Sequence, residues 1–217
     1  EQKAKRKYEL KVLQSQINPH FLYNTLDSII WMAEWGKNQE VVKMTSSLAR
    51  LLRRSISNER EVVTIAEEID YTEAYLTIQK MRYKDKLEYR IEVEPDICQE
   101  ETVKLVLQPL VENSIRYGGQ PTGTAIEITV SVTHEADRFI LEVSDNGQGC
   151  DPDLLNEYLA YKTNNLKVTN GFGIRNVNDR IRLHFGPESG LKYYVDENNR
   201  LTARAEFKYR EASAAKL

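Results

Sequence analysis

The sequence is poor in cysteine and carries almost no excess charge of either sign. Only Cys98 and Cys150 occur in 217 residues, which is too few for a disulfide framework or a cysteine-rich metal site. This usage fits a reducing cytoplasm. Because 30 lysines and arginines nearly balance 33 aspartates and glutamates, for a net charge of −3, the composition lacks the electrostatic footprint of a nucleic-acid-binding protein. We therefore expect no nucleic-acid partner.

Long apolar runs are absent as well. No stretch approaches the roughly 20 apolar residues that span a membrane, and no secretory signal occurs. Several lysines and arginines lie near the start of the sequence. A solvated helix face is the favoured interpretation, and a segment beside an anionic membrane surface is the alternative. Because the sequence begins inside a helical pattern without a cap or an initiator methionine, we expect it to be a piece of a longer protein.

Apolar residues at helical spacing predict two long helices at the start of the chain. The first covers about 8–35 and is interrupted by Pro19, which we expect to kink the helix just before His20. A turn at 36–38 leads to a second helix over about 39–57. A two-helix hairpin has no third layer to cover its apolar stripe. We therefore expect it to pair with a copy of itself as a four-helix bundle.

The remainder of the chain has the pattern of an α+β domain. A helix is predicted to open at a Thr64–Glu67 capping box and to reach about Arg82. A strand over 87–93, a helix over 101–117 and a pair of strands over 126–133 and 138–144 follow. The last predicted elements are a short helix near 153–160, a helix over 173–185, and a closing hairpin over 191–195 and 201–209. Helices and strands that do not strictly alternate favour a mixed sheet with helices on one face.

Three short segments carry groups that a nucleoside triphosphate requires. The amide oxygen of Asn113 is a hard ligand suited to Mg²⁺. The carboxylate of Asp145 ends an apolar strand and can accept a hydrogen bond from the adenine amine, where guanine presents a carbonyl oxygen. Glycines let the backbone approach a ligand closely, and a pair of them before a helix leaves its first N–H groups facing phosphate. The glycines concerned are Gly147, Gly149, Gly171 and Gly173.

Each of these residues also has a simpler interpretation. Asp145 stands in an Asp-Asn-Gly sequence typical of hairpin turns, and backbone groups alone could satisfy Asn113. Arg116 and Tyr117 could reach phosphate and purine, but surface roles suit them equally. Lys162 lies in the polar segment 150–170, whose length is typical of a lid, and it could meet phosphate. The spacing of the three segments along one chain favours the nucleotide site.

A histidine upstream of these segments is a candidate phosphoryl acceptor. His20 lies on the first predicted helix, where the expected kink would expose it, and a neutral imidazole is a nucleophile at pH 7. In-line phosphoryl transfer depends on positioning and charge neutralisation more than on covalent assistance. A helix histidine without chemistry is the alternative for His20, and it is our interpretation of His134 and His184.

Taken together, these segments resemble two sets of family motifs. Asn113, residues 145–149 and residues 171–173 resemble the N, G1 and G2 boxes of the Bergerat ATP-binding fold. Residues 16–26, Gln-Ile-Asn-Pro-His-Phe-Leu-Tyr-Asn-Thr-Leu, and residues 107–113, Leu-Gln-Pro-Leu-Val-Glu-Asn, resemble the LytS/YesM-type sensor histidine kinases. This resemblance covers nearly the whole chain.

The resemblance implies a two-component sensor kinase core. It implies a dimerising hairpin over 1–58 that carries the phosphoacceptor His20, and an ATP-binding domain over 59–217 in which Asn113 ligates Mg²⁺. It also implies a membrane sensor upstream, which would make this chain the cytoplasmic domain of a bacterial membrane protein. MgATP would phosphorylate His20, and an aspartate of a response regulator would then receive the phosphoryl group.

The sequence departs from the wider family at two positions. Most histidine kinases carry an acidic residue directly after the phosphorylated histidine, whereas Phe21 follows His20 here. Glu112 is a candidate proton acceptor in its place, and solvent is the alternative. Relatives of this fold that hydrolyse ATP carry a glutamate four residues before the asparagine, where Pro109 stands here. Two other functions remain as alternatives: a clamp driven by ATP hydrolysis, and a scaffold that binds ATP without transfer.

Overall fold

A computed structural model describes residues 19–56, 60–118, 124–147, 149–163 and 172–209, without the side chains of 54–56 and 172. The expected kink before His20 and the helix upstream of it fall outside these ranges. The chain divides into two compact units. One comprises the residues up to Arg60 together with Glu73–Lys84, and the other comprises Glu61–Thr72 together with the chain from Asp85 onward.

The first unit contains the predicted helical hairpin. Helix α1 covers Pro19–Glu34 and helix α2 covers Asn38–Ile56. The buried side of α2 follows helical spacing through Met44, Leu48 and Leu51.

The expectation that no third layer covers the hairpin was incomplete. The ring of Phe21 on α1 stacks on Tyr75 with centroids 5.2 Å apart, and Tyr75 belongs to the next helix, α3, over Ile65–Tyr83. The C-terminal half of α3 is therefore a third helical segment of this unit, which the sequence pattern did not reveal because α3 begins in the other unit.

Helix α3 opens at the predicted capping box, which is confirmed. The backbone N–H of Thr64 donates to Glu67 Oε2 at 3.0 Å, and the N–H of Glu67 donates to Thr64 Oγ1 at 3.2 Å. Strand β1, Val62–Thr64, precedes the helix and pairs antiparallel with β3, Glu101–Val103. The helix predicted over 101–117 is therefore wrong at its start, because its first three residues form a strand. Helix α4 covers only Leu107–Tyr117.

A five-stranded mixed sheet forms the second unit, as predicted. Its strands are β2 (Leu87–Val93), β4 (Ile126–Glu135), β5 (Arg138–Asp145), β6 (Gly190–Val195) and β7 (Leu201–Lys208). They lie in the order β2-β4-β5-β7-β6; the β2–β4 pair is parallel, and the β4–β5, β5–β7 and β7–β6 pairs are antiparallel.

One face of this sheet packs against helices and the other is polar. Helices α4, α5 (Pro152–Leu159) and α6 (Phe172–Phe185) contact the sheet. The core lies between the layers, where Leu141 and Val143 alternate with outward-facing polar residues along β5. Within the described residues, no helix combines the length and apolar character that crossing a membrane requires.

Candidate functional site

A cavity of about 180 Å³ lies in the second unit, at the end of β5 where Asp145 stands. Helix α4, strands β5, β6 and β7, helices α5 and α6, and the segment after β5 all contribute to its wall. Its lining residues are Leu110, Asn113, Ser114, Tyr117, Gly118, Val143, Asp145, Gly149, Cys150, Leu155, Ile174, Tyr193, Leu201 and Ala203. The cavity is thus mostly apolar with a few polar groups, which is the usual character of a small-molecule site.

The Asp145 carboxylate is the central polar group of this cavity. Its residue is only 5% exposed. Ser114 Oγ donates to Oδ2 at 2.7 Å, and the Gly147 N–H donates to Oδ1 at 3.0 Å. Burial raises the pKa of Asp145, and these two donors together with the charge of Arg200 act against that rise.

Asp145 does not stand in a hairpin turn, although the bond from the Gly147 N–H to its Oδ1 closes a local turn of the kind that aspartates commonly form. The strands that flank Asp145 in the sheet are β4, which precedes it, and β7, which begins at Leu201, so no hairpin closes at this position. Asn146 instead ties the end of β5 back to the start of β4. Its amide oxygen accepts from the Glu127 N–H at 2.9 Å, and its amide nitrogen donates to the Ala125 carbonyl at 3.1 Å.

Two glycines bring α4 close enough to β5 for this arrangement. A Cβ added at Gly147 would lie 2.3 Å from Gly118 Cα and 2.9 Å from Gly118 O, so the two backbones are in direct contact. Gly147 thus has a packing role within the protein, whereas the sequence argument gave it a role against the ligand. Gly149 lines the cavity with φ of 70°, a conformation that favours glycine.

The candidate residues on helix α4 lie on two different faces of the helix. Asn113 and Tyr117 line the cavity, whereas Glu112 and Arg116 do not and lie on the adjacent side of the helix. Gln108 Nε2 donates to Glu112 Oε1 at 2.7 Å. Burial raises the pKa of Glu112, and the Gln108 hydrogen bond and the charge of Arg116 oppose this rise. A raised pKa is the property that a proton acceptor requires.

Of the residues predicted to meet phosphate, Gly173 and Lys162 are not among those that line the cavity. Gly171 lies outside the described residues. Gly173 is exposed in the first turn of α6, and an added Cβ there would make only an ordinary contact of 3.9 Å with Pro109 Cβ. Packing within the protein therefore does not require glycine at 173. Lys162 is exposed after α5 and is not among the lining residues.

Sequence reasoning missed several wall residues. Ser114 follows Asn113 directly and has helical spacing to Leu110 and Tyr117, so the helical pattern contained a signal for it. Tyr193 and the other β6 and β7 residues reach the cavity through strand register, which no local pattern reveals. Burial, with the nearby charge of Asp145, raises the pKa of Tyr193, so its hydroxyl stays protonated.

Sequence reasoning also missed Glu68, which lies outside the cavity wall and caps the start of α4. Its fully buried carboxylate accepts the backbone N–H groups of Leu105, Val106 and Leu107 at 2.9, 2.7 and 2.9 Å. Burial raises the pKa of Glu68, while the three N–H groups and the charge of Arg180 oppose this rise. Glu68 therefore caps a helix that begins about 40 residues after it, which explains why α4 starts later than its sequence pattern suggests.

His20 belongs to the first unit. It is exposed in the first turn of α1, and the Asn24 amide nitrogen lies 3.2 Å from each of its ring nitrogens. The other two histidines contact polar side chains of the second unit. His134 Nδ1 lies 2.6 Å from the Tyr209 hydroxyl, and His184 Nε2 lies 3.0 Å from Glu61 Oε2.

Comparison with protein families gives two matches that together cover most of the chain. Residues 8–87 match the model of the family described as histidine kinase. Residues 98–209 match the model described as histidine kinase-, DNA gyrase B-, and HSP90-like ATPase, which spans more than half of the chain.

Individual proteins resemble the chain over most of its length. Sensor histidine kinase YesM of Bacillus subtilis is 38% identical over 188 residues, covering 87% of this chain and 31% of YesM. Sensor histidine kinase BtsS of Escherichia coli K12 is 30% identical over 200 residues, covering 90% of this chain and 33% of BtsS. The chain thus spans about a third of the length of these relatives.

Solved structures show the same fold. The catalytic domain of histidine kinase ThkA aligns with 69% of this chain and 98% of its own at a TM-score of 0.53, with 15% sequence identity. At that level of identity, the likeness concerns the α+β architecture with its mixed sheet.

Proposed function

The chain belongs to the histidine kinase family, and from this premise we propose that it is the kinase core of a two-component sensor that uses MgATP to phosphorylate its own His20. The ATP-binding family model supports the use of ATP. The observation that carries the proposal is the buried Asp145 carboxylate in the cavity. Its oxygens are acceptors that suit the adenine amine, and it lies in an apolar site large enough for a base.

We propose that the cavity residues recognise the base of ATP and that residues outside the cavity lining recognise its phosphates. Asp145 accepts from the amine, and Tyr117 and Gly149 form the surrounding wall. We propose that Arg116, Lys162 and the helix start at 171–173 lie on the phosphate side.

Asn113 suits a hard cation, because its amide oxygen belongs to a half-buried side chain in the cavity wall. We propose that it holds the Mg²⁺ that accompanies ATP. When bound, the ion neutralises phosphate charge.

The proposed reaction has two transfers. A ring nitrogen of His20 attacks the γ-phosphorus, an N–P bond forms, the bond from phosphorus to the bridging oxygen breaks, and ADP leaves. The imidazole proton passes to Glu112 or to solvent. The phosphoryl group then moves from the His20 nitrogen to an aspartate carboxylate on a response regulator.

The wider organisation is also a proposal. We assign residues 1–58 to a dimerising phosphoacceptor hairpin and 59–217 to ATP binding. The hairpin would form a homodimer, and an upstream membrane sensor would place this chain on the cytoplasmic side of a bacterial membrane. We expect no nucleic acid among its partners.

Incubation with ATP labelled at the γ-phosphate tests the activity. We expect a label on the protein that is lost in acid and kept in base, because a phosphoramidate has that stability. His20→Gln should abolish the label, and the matched variant His134→Gln should keep it. Nucleotide affinity should change little in His20→Gln, because every residue that lines the cavity belongs to the other unit.

Two results would contradict this function. Steady phosphate release without a labelled protein would favour the ATP-hydrolysing clamp. Tight ATP binding with neither label nor phosphate release would favour the scaffold.

A further inference from the structure

The Ser114 hydroxyl makes a contact that the proposed chemistry does not yet use. Its residue is 7% exposed, and its Oγ donates to Asp145 Oδ2 at 2.7 Å. A serine within a helix commonly donates back to the carbonyl four residues earlier. Here its single donor goes across to another element, so the contact is a specific link between α4 and β5.

This link determines how the carboxylate presents itself to a ligand. Ser114 occupies one acceptor position on Oδ2, and the Gly147 N–H occupies one on Oδ1. One donor on each oxygen fixes the rotation of the carboxylate about its last torsion, which is otherwise broad. Each carboxylate oxygen offers about two acceptor positions. Each oxygen therefore keeps one position for an incoming N–H.

The backbone around the link is closely packed. The Gly118 N–H donates to the Ser114 carbonyl at 2.8 Å, and Gly118 contacts Gly147 directly. Ser114 therefore stands on a turn that cannot move away from the end of β5 without breaking this contact. Because the hydroxyl already contacts Asp145 before a ligand binds, no ordering of this side chain is needed on binding, and the carboxylate is preorganised for its ligand.

We propose that Ser114 is a positioning residue for base selection, holding the Asp145 carboxylate in the orientation that accepts the adenine amine. This inference rests on the proposed ATP site. It assigns to Ser114 a role that acts through Asp145, without direct contact with the base. Loss of the hydroxyl should leave the cavity intact but allow the carboxylate to rotate, which weakens only the interaction with the amine.

Isothermal titration calorimetry of the full chain in excess Mg²⁺ tests this role with three nucleotides. They are ATP, GTP and purine riboside triphosphate, which lacks the amine. Ser114→Ala should bind ATP about tenfold more weakly, because the rotated Asp145 carboxylate no longer accepts well from the adenine amine, and a hydrogen bond to a charged group contributes about that much. Its affinity for purine riboside triphosphate should change by less than about twofold, since that ligand makes no use of the oriented carboxylate.

Two further variants act as controls, and a third replaces Ser114→Ala if that variant does not fold. Ser114→Thr retains the donor and should keep the parent preference for ATP. Ser189→Ala removes an equally buried serine hydroxyl of the same unit, one that donates to the Phe185 carbonyl at 3.2 Å and does not line the cavity. It should leave all three affinities unchanged. If Ser114→Ala does not show a cooperative thermal transition, Ser114→Cys, similar in size and only a weak donor, replaces it.

The outcomes separate this inference from the proposed function. An equal loss for ATP and purine riboside triphosphate in Ser114→Ala, or no loss at all, would overturn the positioning role and leave the ATP site in place. A parent protein that binds ATP no better than purine riboside triphosphate, with Asp145→Asn unchanged from it, would overturn the adenine assignment itself.

Discussion

At the scale of single residues, the candidate site depends on polar side chains that stand among apolar neighbours. A buried polar group without a partner costs about 1–3 kcal/mol. Asp145 has two protein donors that reduce this cost. The amide of Asn113 faces the cavity, where we propose a metal ion as its partner. Mutation of Asn113 should therefore affect nucleotide binding through the metal ion, whereas mutation of Asp145 should affect it through the base.

Asn113→Ala should weaken nucleotide binding only when Mg²⁺ is present. Loss of a metal-binding oxygen should reduce the affinity for MgATP by about 10-fold to 100-fold, whereas ATP in excess chelator should bind nearly as in the parent. Titration calorimetry with and without Mg²⁺ measures both. Asn198→Ala, in the turn between β6 and β7, is the matched control and should alter neither affinity. Equal weakening in both conditions would count against the metal assignment.

At the scale of secondary structure, the elements of the second unit are held by contacts between residues that are distant in sequence. The start of α4 is capped by Glu68 on α3. On the polar face of the sheet, Glu206 on β7 accepts from Arg138 on β5 at 2.9 Å and from Arg204 at 2.8 Å, and it also pairs with Lys192 on β6. Glu68 thus joins α3 to the start of α4, and Glu206 adds side-chain contacts between three strands that are already paired in the sheet.

Glu68→Gln should destabilise the second unit. The amide keeps one acceptor oxygen but presents its NH₂ group to one of the three backbone N–H groups, which leaves a buried donor unpaired at a cost of about 1–3 kcal/mol. Chemical unfolding followed by far-UV circular dichroism measures the loss. The neighbouring variant Glu67→Gln is the control, because a capping box accepts glutamate or glutamine equally. Equal stability of the two variants would show that Glu68 does not cap α4 in solution.

The carboxylate of Glu206 should make stability depend on acid pH. Burial acts to raise its pKa, but the hydrogen bonds from Lys192, Arg204 and Arg138 prevail and lower it to about 2 from the ordinary 4.5. A lowered pKa in the folded state means that the ionised form contributes stability above pH 4.5, and that this contribution is lost as the pH falls towards 2. Glu206 thus stabilises the sheet at neutral pH.

Thermal unfolding of Glu206→Gln and of the parent, measured from neutral pH down towards pH 2, tests this contribution. The variant should melt below the parent at neutral pH, and the two melting temperatures should converge as the pH falls through the window. Glu197→Gln, which removes an exposed carboxylate between β6 and β7, should follow the parent at every pH. A gap that stays constant with pH would show that the charge of Glu206 is not what stabilises the sheet.

At the scale of the whole molecule, α1 carries an exposed apolar stripe, and we propose that it contacts a second copy of the chain. Tyr23, Leu26 and Ile30 are exposed at 69%, 47% and 54%, and their spacing of three and four residues places them on one face of the helix. The structure covers the other side of α1 with the ring of Tyr75. This stripe is therefore the surface that we assign to the proposed homodimer.

Ile30→Glu should convert the dimer to a monomer, because it places a charge in an apolar interface. Light scattering coupled to size-exclusion chromatography measures the mass, and ATP affinity should be unchanged. Leu183→Glu is the matched control, since Leu183 is 81% exposed on α6 and lies outside the hairpin. A parent that is already monomeric, or an Ile30→Glu protein that remains dimeric, would exclude this stripe as the interface.

Elements with local sequence signals could be predicted from the chain alone. Helical spacing predicted α2, the capping box predicted the start of α3, and alternation predicted the strands β4 and β5 to within about two residues. The motif residues Asn113 and Asp145 were predicted in the same way, and both line the cavity; their roles stay predictions.

The contacts that hold these residues in place depend on tertiary packing. The hydrogen bond from Ser114 to Asp145 spans 31 positions, and those from the start of α4 to Glu68 span 37 to 39. The wall residue Tyr193 faces the cavity because β6 pairs with β7 in a particular register. Such contacts leave no periodic pattern in sequence, since each depends on where two separately formed elements meet, and that is decided by the packing of the whole core.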